Sequence, residues 1–238
     1  MFIGKRLTKV SHLCDTFFMN KRDLIVDYLT KLFPDANCEL EGETPFEFLV
    51  SVILSAQCTD KRVNMTTPAL FAKYNTPKDF VGAEIQDVEN IIRPCGFYHN
   101  KAKNIILLSH ALLDRFDGIV PNTLEELMSL PGVGMKTAKV VLGFVFNRNV
   151  MAVDTHVLRV SNRLGIVSEK NPDKCSILLE KYFKNDVQKL HHRLVLFGRY
   201  YCKALSPKCD VCELKGICKY YNEVKNVSRQ SKNNHKSR

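Results

Sequence analysis

The sequence predicts an all-α protein. Apolar residues recur at the three- and four-residue spacing of amphipathic helices along most of the 238 residues. Alternating strand patterns are missing, and short turns with Gly or Pro separate the apolar stripes. Since 45% of the residues are hydrophobic, the chain can bury a core. We therefore expect helices packed on helices in one or two domains.

Nine helical stretches follow one another along the chain. The first, Leu24–Leu32, ends before Pro34. The second, Phe46–Ala56, is apolar almost all round, which predicts a helix buried inside a bundle. The other seven are Val88–Ile92, Ile105–Leu112, Leu124–Leu130, Val140–Phe146, Leu158–Leu164, Ile177–Tyr182 and Leu190–Tyr201.

The charge of the chain favours an anionic partner. It has 35 Lys and Arg against 25 Asp and Glu, a formal net charge of +10. Five basic residues lie in Lys225–Arg238, which predicts a disordered basic tail, and subtracting them from +10 leaves +5. Nucleic acid is the commonest partner of such proteins, and a solvated basic surface is the alternative. No apolar run approaches the roughly 18–20 residues of a membrane span, and a secretory signal is absent, so we expect an intracellular protein.

The segment around Pro131 predicts two helices joined by a tight turn. Thr123 and Glu126 fit a capping box at the start of the first helix. Pro131 ends that helix because proline disfavours helical geometry in the residue before it. The second helix is expected to begin near Met135.

The turn itself predicts an anion site. Gly132 and Gly134 flank Val133, and glycines let another backbone approach closely. Free N–H groups and the dipole at the start of the next helix would suit a DNA phosphate. The preceding strand and third glycine of a dinucleotide site are missing, as is the Gly-Lys-Ser/Thr of a P-loop. On this motif alone, a tight helical turn without a ligand is the alternative.

Two residues are candidates for catalysis. Lys136 lies in the first turn of the second helix, where the dipole disfavours a positive charge, and Lys139 follows on roughly the same face. An uncharged amine is a nucleophile that forms Schiff bases. Asp154 precedes a helix and could cap it, stabilise an oxocarbenium-like transition state, or do both. An exposed lysine and a purely structural cap are the alternatives.

Four cysteines close to the C-terminus predict a metal site. The chain has nine cysteines and no secretory signal, which argues against a disulfide scaffold. The Cys-x6-Cys-x2-Cys-x5-Cys array is formed by Cys202, Cys209, Cys212 and Cys218. Zinc and iron–sulfur clusters both accept four cysteines, and the presence of a single Cys-x2-Cys pair favours iron–sulfur. Lys203 and Lys208, between the first two cysteines, would face a nucleic-acid backbone.

Together these motifs resemble the endonuclease III family of helix-hairpin-helix DNA glycosylases. The resemblance rests on Leu130–Ala138, then Val153–Val157, then the cysteine array. Ser55–Asp60 and Gly96–Ala102 also resemble the DNA-probing loops of that family. The match spans residues 20–222, with the motifs in the order of the family.

The resemblance implies a two-lobed helix-hairpin-helix DNA glycosylase fold with a C-terminal [4Fe–4S] cluster loop. One lobe would be the helical bundle 38–148, which contains the hairpin. The other would join 20–37 to 149–222 around the cluster, with DNA between the lobes. Residues 1–19 would be a leader and 223–238 a basic tail.

The resemblance also implies base excision repair of oxidised pyrimidines in duplex DNA, followed by strand cleavage at the abasic site. The enzyme would act as a monomer, in the cytoplasm or nucleoid of a prokaryote or in the nucleus or an organelle of a eukaryote. Lys136 matches the nucleophile of the family and Asp154 its carboxylate. Gln57 matches the residue that fills the gap left by the flipped nucleotide, and Phe97 stands where the family typically has a leucine wedge. The four cysteines of the array would hold the [4Fe–4S] cluster.

Two other functions fit part of the pattern. A monofunctional adenine glycosylase of the same superfamily would share the hairpin, the aspartate and the cluster. It would lack the lysine at position 136 and usually carries a further C-terminal domain, whereas 20 residues follow Cys218 here. A non-catalytic DNA-binding module with a structural metal would bind DNA without cleaving it. Lys136 together with Asp154 favours the bifunctional enzyme.

Overall fold

Eleven α-helices have both ends within residues 20–185 and 187–223, the parts of the chain that this computed structural model describes. They are α1 (Lys21–Leu32), α2 (Pro45–Leu54), α3 (Asp60–Phe71), α4 (Pro77–Val81), α5 (Ile85–Ile92), α6 (Tyr98–Phe116), α7 (Leu124–Met128), α8 (Met135–Phe144), α9 (Thr155–Leu164), α10 (Pro172–Phe183) and α11 (Val187–Tyr200). No described residue forms a β-strand, which confirms the all-α prediction. None of the helices in this part of the chain is long and apolar enough to cross a membrane. The predicted leader 1–19 and, beyond Glu223, the predicted tail 223–238 lie outside the described residues.

Side chains that bind free backbone N–H groups fix the starts of the helices. At α2, the Thr44 hydroxyl accepts the Glu47 N–H at 3.1 Å, and the Glu47 carboxylate accepts the Thr44 N–H at 3.3 Å. At α7, Thr123 accepts the Glu126 N–H at 3.3 Å, as predicted, but its hydroxyl donates to the Glu126 carboxylate at 2.7 Å. The predicted pair of residues therefore caps α7 through the hydroxyl and not through the Thr123 N–H.

The helices differ from the sequence predictions at several places, among them the ends of α2 and α8, at Leu54 and Phe144, each two residues before the predicted end. α3 was not predicted because it is mostly polar and carries Pro68 in its last turn, so it has no clear apolar stripe. α4 was not predicted because five residues are too few for a helical period to show. α7 ends at Met128, two residues before the predicted end, where the Ser129 N–H turns back to the carbonyls of the last turn.

The helices enclose two hydrophobic clusters. The first draws on α2 to α8 and has α2 at its centre, where every residue from Phe46 to Leu54 is buried, as its apolar pattern predicts. The second draws on α1 and on α9 to α11. The chain crosses between them twice, first between Phe33 and Cys38, and again where Val150 packs against the first cluster and Met151 belongs to the second. Residues that lie close to these crossings can therefore meet at the junction of the two clusters.

Candidate active site

A cleft of about 510 Å³ opens where the two hydrophobic clusters meet. Its volume lies in the range of small-molecule sites. Val52 and Val140 line it from the first cluster, and His191 and Val195 line it from α11. Three of the predicted site residues, from three separate parts of the sequence, share this lining: Gln57, Lys136 and Asp154. The remaining predicted DNA contacts lie outside the lining, namely Phe97, Gly132, Val133, Gly134, Lys203 and Lys208.

Lys136 reaches the cleft from the first turn of α8. This helix begins at Met135 after the Gly134 N-cap, and no side chain caps it. The first intrahelical bond runs from the Ala138 N–H to the Gly134 carbonyl, so the N–H groups of residues 135–137 have no backbone acceptor. Lys136 is exposed, and it lines the same cleft as Asp154. The helix start and the amine therefore lie together at the protein surface.

The turn before α8 has the geometry that its glycines predict. Gly132 has a φ of +77°, and a Cβ atom there would lie 2.9 Å from the Cβ of Asn104 on α6. The side chain of Val133 is buried, and its N–H donates to the Leu130 carbonyl at 3.2 Å. Gly134 is exposed and has open space around it. Val133 thus anchors the turn while the two glycines face outward.

Asp154 caps α9, as its position predicts. Its Oδ1 accepts the N–H of His156 at 2.9 Å and that of Val157 at 2.8 Å. Its Oδ2 has no hydrogen-bond partner among the described residues. Because both capping bonds use one oxygen, the carboxylate is held rigidly while its second oxygen is free to act in the cleft.

Lys139 does not have the role that its spacing predicts. It is only 4% exposed, and its ammonium bonds the Ser176 hydroxyl at 2.5 Å and the Glu180 carboxylate at 2.7 Å. The ion pair compensates its charge, so the expected repulsion between Lys139 and Lys136 is weakened. The electrostatic part of the prediction is therefore wrong for Lys139, because the side chain turns into the protein toward α10.

Two histidines on α11 line the cleft and were not singled out in the sequence. The pKa of His191 is lowered to about 3, mainly by burial and also by the neighbouring His192 and Lys136, while Asp154 opposes them. Burial alone lowers the pKa of His192 to about 4. Nδ1 of His191 is buried and has no hydrogen-bond partner among the described residues. The wall of the cleft beside Lys136 and Asp154 is therefore uncharged at neutral pH.

Gln57 and Phe97 lie on two short loops with an uncommon backbone. Gln57 has a φ of +54° and Phe97 a φ of +49°. Residues other than glycine rarely adopt this backbone conformation. Both residues are exposed, and Phe97 is 62% exposed. Such strain collects at sites where a side chain must point in a fixed direction. Both loops therefore present a side chain outward.

A buried lysine ties these two loops together. Lys101 is 5% exposed and donates to the Leu54 carbonyl at 2.8 Å and to the Cys95 carbonyl at 3.0 Å. Burial lowers its pKa. Leu54 lies three residues before Gln57, and Cys95 lies two residues before Phe97. One ammonium group thus fixes the backbone at the base of both loops.

The four cysteines of the predicted metal site line one pocket at the far end of the second cluster. No three His, Cys, Asp or Glu side chains in the described ranges are close enough together to hold a single metal ion. Burial raises the pKa of the Cys209, Cys212 and Cys218 thiols, and the neighbouring cysteines raise each of them further. Several thiolates are therefore unfavourable here without a cation beside them.

Arg163 of α9 binds the backbone of the loop that joins Cys202 to Cys209. Its guanidinium donates to the Lys203 carbonyl at 2.5 Å and to the Ala204 carbonyl at 2.9 Å. The side chains of Lys203 and Lys208 are exposed, and the Lys208 ammonium lies 5.0 Å from the Tyr201 ring centre. The cations of the loop are therefore available to a partner outside the cleft.

Comparisons with known proteins agree on one family. Residues 50–185 match the HhH-GPD superfamily of base excision DNA repair proteins. An endonuclease III of Bacillus subtilis is 45% identical over 199 residues, which cover 83% of this chain and 91% of that protein. An endonuclease III of Rickettsia conorii is 42% identical over 84% of this chain and 96% of that protein.

Solved structures lead to the same family. A trapped endonuclease III–DNA covalent intermediate superposes with a TM-score of 0.81 at 44% identity, covering 87% of this chain and 99% of that one. A non-covalent endonuclease III–DNA complex gives a TM-score of 0.79 at 43% identity over 88% of this chain and all of that one. The chain therefore belongs to the endonuclease III family, within the HhH-GPD superfamily of base excision DNA repair proteins.

Proposed function

We propose that Lys136 and Asp154 carry the chemistry of this family member, and that its substrate is an oxidised pyrimidine in duplex DNA. Its family makes the chain a base excision repair enzyme, a bifunctional DNA glycosylase and abasic-site lyase. One observation carries the assignment of residues: an exposed amine on α8 and a rigidly held carboxylate at the start of α9 line one cleft. The solved relatives with DNA support duplex DNA as the partner.

The reaction begins with the lone pair of the Lys136 amine. The amine forms a bond to C1′ of the deoxyribose, and the bond from C1′ to the base nitrogen breaks with its electron pair leaving on the base, which takes up a proton. The Asp154 carboxylate stabilises the positive charge that builds on the sugar before this bond is complete. One amine and one carboxylate are therefore enough for the release of the base.

Strand cleavage follows from the same amine. The nitrogen, now bonded to C1′, gives up a proton, and its lone pair forms an imine at C1′ as the bond from C1′ to O4′ breaks and O4′ takes up a proton. The imine acidifies C2′, so a base removes a C2′ proton and the bond from C3′ to the phosphate oxygen breaks. Water then hydrolyses the imine and returns the free lysine. The buried imidazoles beside the cleft stay neutral throughout this sequence at pH 7.

The two neighbouring loops that carry Gln57 and Phe97 would supply the access to the sugar. A base inside the stack cannot be attacked, so it is flipped out at a cost of a few kcal/mol. We assign Gln57 to the vacancy that the base leaves and Phe97 to the wedge between the neighbouring base pairs. Their strained backbones and exposed side chains support these roles.

The remaining predicted residues would bind the DNA backbone. The free N–H groups at the start of α8 suit a phosphate. The turn of Gly132, Val133 and Gly134 in front of them leaves these groups accessible. The exposed Lys203 and Lys208 suit a second stretch of backbone. We place the DNA between a lobe 38–148 and a lobe 20–37 plus 149–222, with the protein acting as a monomer. The bacterial relatives favour the cytoplasm or nucleoid among the predicted locations.

We also propose a [4Fe–4S] cluster in the pocket of the four cysteines. The thiols line the walls of a pocket, an arrangement that suits a group with several irons better than one tetrahedral ion. Cys202, Cys209, Cys212 and Cys218 would be its ligands, and the cluster would supply the positive charge that four thiolates need. Purified protein should be brown and contain iron; a colourless protein with stoichiometric zinc would overturn this assignment.

Borohydride trapping tests the assignment of Lys136. The wild-type protein is mixed with duplex DNA that carries thymine glycol, an oxidised pyrimidine, and borohydride is added to reduce any imine. We expect a covalent protein–DNA adduct from the wild type and none from Lys136→Ala. The matched control is Lys103→Ala, an exposed lysine outside the cleft, which should trap like the wild type.

The same experiment separates the alternative functions. A monofunctional adenine glycosylase would release adenine from a mismatch without being trapped. A non-catalytic binding module would neither release a base nor be trapped. Wild-type protein that cuts thymine glycol DNA but is never trapped would contradict the imine mechanism.

A further inference from the structure

We propose that Lys139 is a positioning residue that holds Lys136 against Asp154, by joining α8 to the segment in front of α9. The proposal rests on the roles of Lys136 and Asp154 given above. It concerns a buried network that lies behind the cleft and does not line it.

The network begins with one buried cation. The Lys139 ammonium donates to Ser176 Oγ at 2.5 Å and to Glu180 Oε1 at 2.7 Å. Ser176 and Glu180 lie four residues apart on α10, so they are neighbours on one face of that helix. Lys139 belongs to the helix of the hairpin, whereas α10 packs in the second hydrophobic cluster. The cation therefore joins elements of the two clusters.

Both partners of Lys139 also hold the backbone of Met151. Glu180 Oε1 accepts the Met151 N–H at 2.8 Å, and Ser176 Oγ donates to the Met151 carbonyl at 2.5 Å. Both polar groups of this residue are thus satisfied by the side chains that bind Lys139. Met151 is the first residue of the second cluster after the chain leaves the first one. The network therefore fixes this crossing between the clusters.

A member of the network lies three residues along the chain from each reacting group. Lys136 precedes Lys139 by three residues on α8, a rise of about 4.5 Å along one rigid helix. Asp154 follows Met151 by three residues, and Ala152 and Val153 between them are buried. Asp154 is itself fixed by its capping bonds. Because the segments from the network to Lys136 and to Asp154 are short and rigid, the network fixes the positions of the amine and the carboxylate.

A charged network suits this task better than an apolar contact. Burying an ion pair gives little net stability, because the loss of hydration offsets the attraction. Its hydrogen bonds, however, accept only one arrangement of the four groups, whereas apolar side chains tolerate sliding. Catalysis is sensitive to such sliding, since a misplacement of about 1 Å costs up to a hundredfold in rate.

The test measures two quantities for each variant: the rate of imine trapping at saturating enzyme, and the affinity for the DNA. We expect Lys139→Met to lower the single-turnover rate of imine trapping on abasic-site duplex at least tenfold, with the dissociation constant for the DNA changed less than twofold. Val88→Ala, a buried substitution in the first cluster away from the cleft, controls for lost stability and should keep the wild-type rate while folded. Glu180→Gln is the second variant; it retains an acceptor for the Met151 N–H and should lose an intermediate amount of rate.

A double-mutant cycle separates positioning from general stability. In the Asp154→Asn background, Lys139→Met should slow trapping less than twofold, because the carboxylate to be positioned is already gone. Three results would each overturn the proposal. The first is an unchanged plateau rate of trapping in folded Lys139→Met. The second is an equal loss of trapping rate in Val88→Ala, and the third is an equal loss of trapping rate when Lys139→Met is made in the Asp154→Asn background. Failure of the proposed function looks different: the wild type would not be trapped, or Lys136→Ala would be trapped as well.

Discussion

Two glycines two residues apart have different tasks, and substitution by alanine separates them. Gly132 is held at a positive φ with Asn104 packed against it, so Gly132→Ala should lower the free energy of unfolding by about 1–3 kcal/mol. Gly134 has a φ of −94° and no atom near the position of a Cβ, so Gly134→Ala should leave stability nearly unchanged. A methyl group at position 134 would instead crowd a phosphate at the start of α8.

Urea unfolding and DNA binding measured on both variants check this prediction. Gly134→Ala should weaken binding of abasic-site duplex while its unfolding curve follows the wild type. If Gly134→Ala binds DNA as tightly as the wild type, the start of α8 does not hold a phosphate. If Gly132→Ala is as stable as the wild type, the packing against Asn104 does not constrain the turn.

The proposed catalytic pair could be picked out from single residues in the sequence, whereas the residues that support the pair could not. Local sequence rules find both residues, because Gly and Pro mark the helix start that carries Lys136 and Asp154 is itself a typical N-cap residue. The true role of Lys139 depends on Glu180, which lies 41 residues away, and no local rule contains that contact. The available signal was its position on the buried stripe of α8, beside Ala138 and Val141. A lysine on a buried stripe indicates a partner elsewhere in the fold.

At the scale of elements, Lys101 connects the two loops that carry Gln57 and Phe97. Lys101→Met keeps the length of the side chain but removes both hydrogen bonds to the loop carbonyls. We expect excision of thymine glycol from duplex DNA to slow by roughly tenfold, since a poorly placed wedge no longer offsets the few kcal/mol of base flipping. Trapping on a single-stranded abasic site, which needs no flipping, should change less than twofold.

The comparison of the two substrates is the decisive control for Lys101. Lys78→Met, an exposed substitution on α4, should leave both rates as in the wild type. Equal slowing of duplex and single-strand reactions by Lys101→Met would show that Lys101 supports the fold in general and not the two loops.

The elements themselves were predictable where burial leaves a period in the sequence. α2 was found because all of its faces are apolar, and α6, α9 and α11 because one face is. α3 lacks this signal, because its buried face includes the polar Thr66 and Thr67 and because Pro68 replaces a helix former. Proline is tolerated late in this helix because neighbouring packing outweighs its local cost.

For the whole molecule, the buried histidines make stability depend on pH. In the unfolded chain both imidazoles titrate near pH 6.5, whereas in the fold their pKa values are lowered to about 3 for His191 and about 4 for His192. Between pH 6.5 and 4 the unfolded chain therefore binds more protons, and the free energy of unfolding falls as the pH falls. The slope contributed by each histidine is at most about 1.4 kcal/mol per pH unit.

Urea unfolding between pH 7.5 and pH 5 measures this slope. His191→Leu should flatten it below pH 6.5, while His110→Gln, at an exposed position on α6, should leave it as in the wild type. A slope that stays unchanged in His191→Leu would show that His191 is not buried as a neutral group.

The two-cluster architecture explains why the histidines of the cleft wall are not visible in the motifs. Most of the lining of the cleft comes from α2, α8, α11, the start of α9 and the loops 37–40 and 55–58, which lie together where the two clusters meet. The motifs identify the chemistry, but the neutral wall formed by His191 and His192 follows from the packing of α11 at this junction. The adjacent pair of histidines on α11, next to its apolar stripe, was a local sign of it.

Identification of the trapped residue tests the central claim most directly. Wild-type protein is reduced with borohydride on abasic-site duplex, the DNA is digested, and the protease peptides are examined by mass spectrometry. The account predicts that the sugar remnant is attached to Nζ of Lys136 and to no other amine. A remnant on any other lysine or on the N-terminal amine would contradict it.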